Sequence, residues 1–363
     1  MRRLIAALMT ALFLVPLLVI VFACSGAEDS DGQTGEQGPI TSGKLIFGIG
    51  MHIEPRGATP SAIVGGAAAG HASLRNGDYN NPQFFAQHVE DINTVASIVE
   101  GHQGRLTVQA QTPFTSIAAA TGNTILADLA SNGHEIGLHF HEDSHLGKDS
   151  AELPASTWCA VMKEEIGSIR QAAGDSVDIR YWSGGNLYPD IIDAASCAGL
   201  SINSDWKNPQ DQKTSTELLG VNPWRPVSGA NGSDVTKFAT HDPEGPVVYL
   251  PEGMYDRANF ASARGAMGDQ AYFDYLKEGL MASLKQAEAD PSRVSVFHFT
   301  VHPGEFRGDP EHPFAVIDRF LAEVVDPLVV SGKIQWGTFS QMADAYSAWE
   351  QANPGVDPIS VRT

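Results

Sequence analysis

The chain has few basic residues and few cysteines, and it lacks two common cofactor motifs. Its 23 Lys and Arg are outnumbered by 43 Asp and Glu, so the formal net charge over 363 residues is −20. Such an acidic surface argues against nucleic acid as a partner and against electrostatic attachment to anionic lipid. No G-x-G-x-x-G opens a predicted helix, which gives little support to a nucleotide-binding open sheet. None of the three cysteines has a C-x-x-C partner, so the sequence does not indicate a cysteine-based zinc site.

A long apolar run stands at the N-terminus. Arg2 and Arg3 precede the uncharged residues 4–23, and Cys24 follows them. This order is typical of an export signal, and the ending LVIVFAC resembles a bacterial lipoprotein signal whose cysteine is lipidated. The alternative is an uncleaved membrane anchor, because the run is about long enough to span a bilayer. We favour a signal peptide over 1–23, which predicts an exported, membrane-anchored lipoprotein of the cell envelope.

Composition divides the rest of the chain into three parts. Residues 24–43 are small, acidic and polar, which predicts a flexible tether. Residues 44–352 alternate strand-like and helix-like segments through seven or eight units without a domain-sized break. Such alternation predicts a parallel sheet covered by helices, either a closed barrel or an open doubly wound sheet. Residues 353–363 are left as a C-terminal tail.

Two cysteines remain if Cys24 carries lipid. Cys159 and Cys197 lie on successive predicted helices that cover neighbouring strands, in an oxidising compartment. We expect a disulfide between them; the alternative is two buried free thiols.

The segment SNGHEIGLHFHEDSHLG, residues 131–147, contains four histidines. Its last part spells the H-E-x-x-H of zinc-protease helices, but the polar residues around it leave no apolar face on which such a helix could pack. HEIGLHF has the period of two of a strand, so His139 and His141 point to one side and His145 could fold back from the loop. Three histidines at a strand end indicate a divalent transition metal; loop histidines without a ligand are the alternative.

Two other strand ends carry similar residues. GMHIEP places His52 and Glu54 at the end of the first strand, and FHFTVHPGEF places His298, Thr300 and His302 on one side of a late strand. The carboxyl ends of the strands in a parallel barrel meet at one rim, so we expect these side chains to converge there.

NGHEIGLH, with a further histidine behind it, resembles the histidine motif of polysaccharide deacetylases, the NodB-homology group of carbohydrate esterase family 4. RYWSGGNLYPDIIDAASCAGLSINSDW resembles that family's arginine-containing strand, its helix and the next strand, and VFHFTVHPGEF resembles the closing segment with the catalytic histidine. The resemblance covers about residues 82–350. It implies an α/β fold, a distorted (β/α) barrel of about seven parallel strands, and metal-dependent removal of acetyl groups from an envelope or extracellular polysaccharide.

The resemblance also implies a ligand set for the metal. Glu54 with two of His139, His141 and His145 would hold a divalent transition metal, which we expect to be Zn²⁺. The family's first strand ends in an Asp-Asp pair, one carboxylate of which acts as the base. This chain has His52 and Glu54 there, so the base is either His52 or missing.

Three further roles follow from the same resemblance. His302 would protonate the leaving amine, Arg180 would fix a carboxylate, and Asp205 would orient a neighbouring group. For Arg180 and Asp205 a structural salt bridge is the alternative. The aromatic residues that could line a sugar groove, or pack in the core instead, are Trp182, Trp206 and Tyr255.

Two other functions stay open at this point. A glycosidase on a similar barrel would use carboxylates in addition to Glu54, from among Glu252, Asp256 and Glu305. A degenerate domain would bind metal or glycan without turnover, since the Asp pair is lost. The expected partners are a carbohydrate and, through Cys24, the membrane; no nucleic acid is expected, and protein partners stay open.

Overall fold

The computed structural model describes residues 40, 43–53, 58–64, 79–184, 188–204, 218–229, 235–255 and 268–359. The predicted signal peptide, Cys24 and most of the tether lie outside the described residues. So do four of the residues singled out above, namely Glu54, Asp205, Trp206 and Asp256. No helix in the described part of the chain has the length and apolar character needed to cross a membrane.

Eight parallel strands form one sheet. They are β1 (Leu45–His52), β2 (Leu106–Ala110), β3 (Glu135–Phe140), β4 (Tyr181–Gly184), β5 (Ile202–Asn203), β6 (Val248–Tyr249), β7 (Ser295–Val301) and β8 (Ile334–Trp336). They pair in the order β6-β5-β4-β3-β2-β1-β7, and β8 pairs with β1 outside this path. The predicted α/β class and distorted (β/α) barrel are confirmed.

The distortion comes from β1 and from the join between β6 and β7. On one side β1 pairs with β7; on the other its first residues pair with β8 and its last residues with β2. Between β6 and β7 the backbone bonds come from irregular segments. The amide of Val296 donates to the carbonyl of Val221 at 2.7 Å, and the amide of His298 donates to the carbonyl of Glu252 at 3.1 Å.

The strands alternate with helices whose ends follow from local sequence. They are α1 (Pro82–Gly101), α2 (Phe114–Thr121), α3 (Ile125–Ser131), α4 (Glu142–Leu146), α5 (Ala155–Ala173), α6 (Ile191–Ala198), α7 (Val235–Phe238), α8 (Asp269–Ala289), α9 (Ala315–Phe320), α10 (Asp326–Val330) and α11 (Phe339–Ala352). A π-helical turn, Leu321–Val325, joins α9 to α10. Asn81 caps α1 by accepting from two backbone amides, and a capping box of Thr338 and Gln341 opens α11.

Strand alternation divides side chains between the helices and the barrel interior. In β1 the odd-numbered residues 45–51 belong to the large core that packs against the helices. Ile46 belongs to a second cluster with interior residues of other strands and with Phe339 and Met342 of α11. The first turns of α11 therefore fill the interior at the amino end of the barrel, and the carboxyl end carries the polar side chains described below.

Cys159 of α5 and Cys197 of α6 form a disulfide, with 5.7 Å between their Cα atoms. The predicted bridge is confirmed. It joins two neighbouring helices across 38 residues of sequence, and a crosslink over a loop of that length typically stabilises a fold by about 2–4 kcal/mol.

Arg180 lies at the wrong end of the barrel for the role expected of it. It directly precedes β4, and its guanidinium forms a bidentate pair with Asp344 of α11 at 2.8 and 2.9 Å. A third contact, 3.2 Å long, joins it to Asp178. Arg180 therefore does not take the role at the site that was expected of it. Its contacts are those of the structural salt bridge that was the alternative, and this salt bridge joins β4 to α11.

His102, which directly follows α1, connects that helix to α9 and α10, on either side of the π-helical turn. Its Nδ1 lies 2.7 Å from a carboxylate oxygen of Asp326, and its Nε2 lies 3.1 Å from one of Asp318. Carboxylates only accept, so both ring nitrogens must carry protons. Burial opposes protonation, but the hydrogen bonds to both carboxylates outweigh it, and the pKa of His102 is raised above its usual 6.5.

We expect His102 to stabilise the fold in a pH-dependent way. A raised pKa gives a contribution that is complete below pH ~6.5 and is lost as the pH rises through the folded-state pKa. His102→Gln should therefore destabilise by up to about 1 kcal/mol at pH 5.5 and by much less at pH 9, as measured by urea unfolding. His312→Gln is the control, because that side chain is 71% exposed. An equal loss at both pH values would contradict the prediction.

Candidate active site

Three imidazoles meet at the carboxyl end of the barrel. His52 ends β1, His139 is the penultimate residue of β3, and His302 directly follows β7. The rings of His52 and His139 stack with centroids 4.2 Å apart, and His302 meets His52 edge to face at 5.3 Å. The predicted convergence of strands β1, β3 and β7 at one rim is therefore found in the described residues.

His141 extends this cluster, and its ring lies nearly perpendicular to that of His139 with centroids 4.8 Å apart. An imidazole binds a metal through a lone pair in the ring plane, at a distance of about 2.1 Å for zinc. The perpendicular rings of His139 and His141 can direct such lone pairs to one point. The stacked rings of His52 and His139 cannot, because their planes are inclined by only 26°.

The described residues fit a metal ion only in part. No three His, Cys, Asp or Glu side chains among them are grouped closely enough to hold an ion. His139 and His141 are the two that fit best, and the expected third ligand, Glu54, lies outside the described residues. Imidazole is a ligand type that suits divalent transition metals, and the described residues supply two such side chains here.

Ser183 fixes the orientation of His139. The two residues are direct neighbours in the pairing of β3 with β4, and the serine Oγ lies 2.6 Å from Nδ1 of the histidine. Both side chains are buried. Because Nδ1 forms this hydrogen bond, Nε2 is the ring nitrogen that can bind a metal or substrate. Histidines at metal sites are usually oriented in this way by a hydrogen bond from the other ring nitrogen to a second residue.

His145 packs on the other side of β3. Its ring stacks on Phe140, which faces the helices, with centroids 4.7 Å apart. Nδ1 must donate to the carbonyl of Thr59, 3.1 Å away, because a carbonyl only accepts. Burial lowers the pKa of His145 to about 3, so the ring is neutral. The sequence predicts that His145 folds back from a loop toward His139 and His141. In the structure it lies on the other side of β3 and is not grouped with them.

His302 is held by a carboxylate from its own turn. Glu305 accepts from the backbone amide of His302 at 2.9 Å and lies 3.2 Å from its Nδ1. Since the carboxylate only accepts, Nδ1 carries the proton in this bond. Nε2 then faces away from Glu305. This pair can take up and release a proton at the rim.

Other predicted residues are placed away from the rim. Trp182 is 2% exposed and packs in the core beneath the helices, and Tyr255 stacks on Tyr275 and donates to the carbonyl of His298. These two aromatic residues therefore do not line an exposed groove. The ring of His298 lies deeper in the barrel, against Phe339.

Sequence reasoning missed the supporting residues. Ser183 belongs to no motif, and the sequence alone indicates only that it lies in a strand, whereas the β3–β4 register places it beside His139. Glu305 was considered as a glycosidase carboxylate, whereas its contacts are to His302. The spacing of three residues between His302 and Glu305, across a Pro-Gly turn, is the signal that could have indicated this pair.

Comparisons with known proteins support the fold. No family model matches the sequence, and no curated protein matches it. A protein described as a polysaccharide deacetylase from Mycobacterium smegmatis aligns with a TM-score of 0.55 at 13% identity, covering 90% of this chain and 99% of that one. A second one, from Pseudomonas aeruginosa PAO1, gives 0.53 at 15% identity, with 87% and 93% covered. An allantoinase gives 0.54 at 13%, with 90% and 97% covered. The predicted resemblance is thus confirmed for the fold.

A buried carboxyl group lies beside His145. Glu165 of α5 accepts from the amide of Thr112 at 2.9 Å and from its hydroxyl at 2.8 Å, and lies 3.6 Å from Nδ1 of His145. Burial raises the pKa of Glu165 to about 7, against an ordinary 4.5. The folded state therefore keeps a proton that the unfolded chain releases between these two values.

We expect this carboxyl group to lower stability as the pH rises. A raised acid pKa removes stability between pH ~4.5 and ~7, on the order of 1–3 kcal/mol for a buried group. Glu165→Gln does not titrate, so its free energy of unfolding relative to wild type should increase from pH 5 to pH 8 by that amount. Urea unfolding at both pH values measures this, with the exposed Glu152→Gln as control. A difference that does not change with pH would contradict the assignment.

Proposed function

We propose that this protein is a metal-dependent hydrolase that removes acetyl groups from a polysaccharide of the cell envelope or the extracellular space. The observation that carries the proposal is the gathering of His52, His139 and His302 at the carboxyl end of a parallel barrel. That end is where barrels of this kind perform chemistry. Two solved proteins with this fold are described as polysaccharide deacetylases, which supports the reaction class and the carbohydrate substrate.

His139 and His141 would hold the metal, together with Glu54. Their perpendicular rings and the hydrogen bond between Nδ1 of His139 and the Ser183 hydroxyl support this assignment. A bound Zn²⁺ would supply Lewis acidity and a water with a pKa near 7. Loss of metal from His139→Ala, measured by elemental analysis, is the direct test of this ligand set.

His302 would be the general acid. Glu305 holds Nδ1 and the backbone amide of the same residue, which leaves Nε2 to deliver a proton to the leaving amine. His52 lies between His139 and His302 and would accept the proton of the attacking water, the task of the missing Asp.

A glycosidase is less well supported by these contacts. Such an enzyme needs two carboxyl groups on either side of the scissile bond, about 5–10 Å apart. Of the carboxylates considered for that role, Glu305 is engaged by His302, and Glu252 is 6% exposed. The rim residues described here are mainly imidazoles, which suit proton transfer and metal binding.

We expect His302→Ala to lower kcat for acetate release from an acetylated glycan by about 10²–10⁴-fold, the usual contribution of a general acid. Bound metal should be unchanged, because His302 is not among the proposed ligands and its ring is held by Glu305. His312→Ala is the matched control: it changes an exposed histidine downstream in the same loop.

Four outcomes would contradict the assignment. Unchanged turnover would reduce His302 to a structural role, and loss of metal would make it a ligand. Release of reducing ends without acetate from the wild-type protein would favour a glycosidase. Binding of glycan with neither product would favour a domain without turnover.

The proposed location is the outer face of a membrane, with lipid on Cys24. The support is the order of basic residues, apolar run and cysteine in the sequence. We expect mass spectrometry of the membrane fraction to find a lipidated N-terminal peptide that begins at Cys24, and Cys24→Ser to abolish it. Mature protein that still carries residues 1–23 would contradict lipidation and favour the uncleaved anchor.

A further inference from the structure

Two buried polar residues interrupt the apolar face of α1. His88 and Asp91 are 3% and 4% exposed, and their helix otherwise buries residues such as Phe85, Ile92 and Val95. A buried carboxylate is unfavourable by several kcal/mol unless charged and hydrogen-bonding partners compensate it. Asp91 has no place in the chemistry proposed above, so its partners indicate its purpose.

Both partners of Asp91 belong to the turn after His302. Its Oδ2 accepts from the backbone amide of Gly304 at 2.7 Å and also from the guanidinium of Arg307. Gly304 has a φ of +90°, a conformation that other residues adopt with strain. His88 lies against the same glycine, since its Nε2 would be 3.5 Å from a Cβ atom at position 304.

The turn is therefore fixed from two sides. Glu305 reaches back to His302 from within the turn, and Asp91 holds Gly304 and Arg307 from α1. Without Asp91, the turn that carries Glu305 would lose the bonds of Gly304 and Arg307 to this carboxylate, and Glu305 would hold the His302 ring less firmly. A catalytic group displaced by about 1 Å can lose about 10²-fold in rate.

We propose that Asp91 is a positioning residue for His302, acting through Gly304 and Arg307 without contacting substrate. This inference rests on the proposed role of His302 as the general acid. It predicts that removing Asp91 changes kcat and the state of the His302 ring while the metal and the substrate affinity are retained.

The test compares Asp91→Ala and Asp91→Asn with Glu90→Gln, which removes a charge from an exposed neighbour in the same helix. We expect kcat for acetate release to fall by about 10–100-fold in Asp91→Ala, with KM within about twofold of wild type. Asp91→Asn keeps an acceptor for Gly304 but loses the charge that pairs with Arg307, so its kcat should be intermediate. Glu90→Gln should match wild type.

Imidazole ¹⁵N shifts give a readout that does not depend on turnover. The His302 signal, identified by its absence in His302→Ala, should report a proton held on Nδ1 in wild type and a mixture of tautomers in both Asp91 variants. Shifts like those of wild type in a folded Asp91→Asn would overturn the proposal, whatever the activity. If the ¹⁵N shifts change in the Asp91 variants but the wild-type protein releases no acetate, the positioning of His302 is supported and the proposed function is rejected. If Asp91→Ala does not fold, the Asn variant decides alone.

Discussion

The carboxylate of Glu135 organises the amino end of the barrel. It accepts from the hydroxyl of Thr107 at 2.8 Å and from the amide and hydroxyl of Ser340 at 3.0 and 2.5 Å. Burial raises the pKa of this group, and the three bonds counteract that effect. A carboxylate at the first turn of α11 also matches the positive end of the helix dipole. The amide of Phe339 bonds to the same Thr107 hydroxyl, so strands β2 and β3 together seat the helix.

This arrangement explains why glycines stand inside β1. With α11 seated, a Cβ atom on Gly48 would lie 2.6 Å from the Cε of Met342, and one on Gly50 would lie 3.1 Å from Phe339. The helix thus helps to fill the space that side chains at positions 48 and 50 would take, so between Ile46 and His52 the strand carries no large interior residue. The apolar residues inside the amino end of the barrel and the histidines at its carboxyl end both follow from the position of α11.

The sequence predicted the periodic parts well and the tertiary details poorly. The alternation of strand-like and helix-like segments identified the strands. The period of two within a strand predicts which face a side chain lies on, and the carboxyl ends of parallel strands meet at one rim, so the positions of His52, His139 and His302 could be predicted. This reasoning failed for Arg180, because this residue directly precedes β4 and therefore lies at the amino end of the barrel, away from the rim. It failed for His145, whose direction depends on bonding to Thr59 and packing on Phe140. The buried role of Asp91 was invisible because charged residues on helices are usually exposed.

The residues of the motif GHEIGLH have different roles at the two ends of the barrel, although they belong to one strand. His134 accepts from the amide of Leu106 and bonds to Glu100, and Glu135 seats α11, whereas His139 lies at the rim. At about 3.3 Å per residue, the four steps from Glu135 to His139 separate these tasks by about 13 Å. The first half of the motif is therefore required by packing whatever the protein catalyses. A match to that half argues for the fold, and only the residues from His139 onward argue for chemistry. That division explains how this chain can keep the barrel while its first strand ends in a histidine where a deacetylase has a carboxylate.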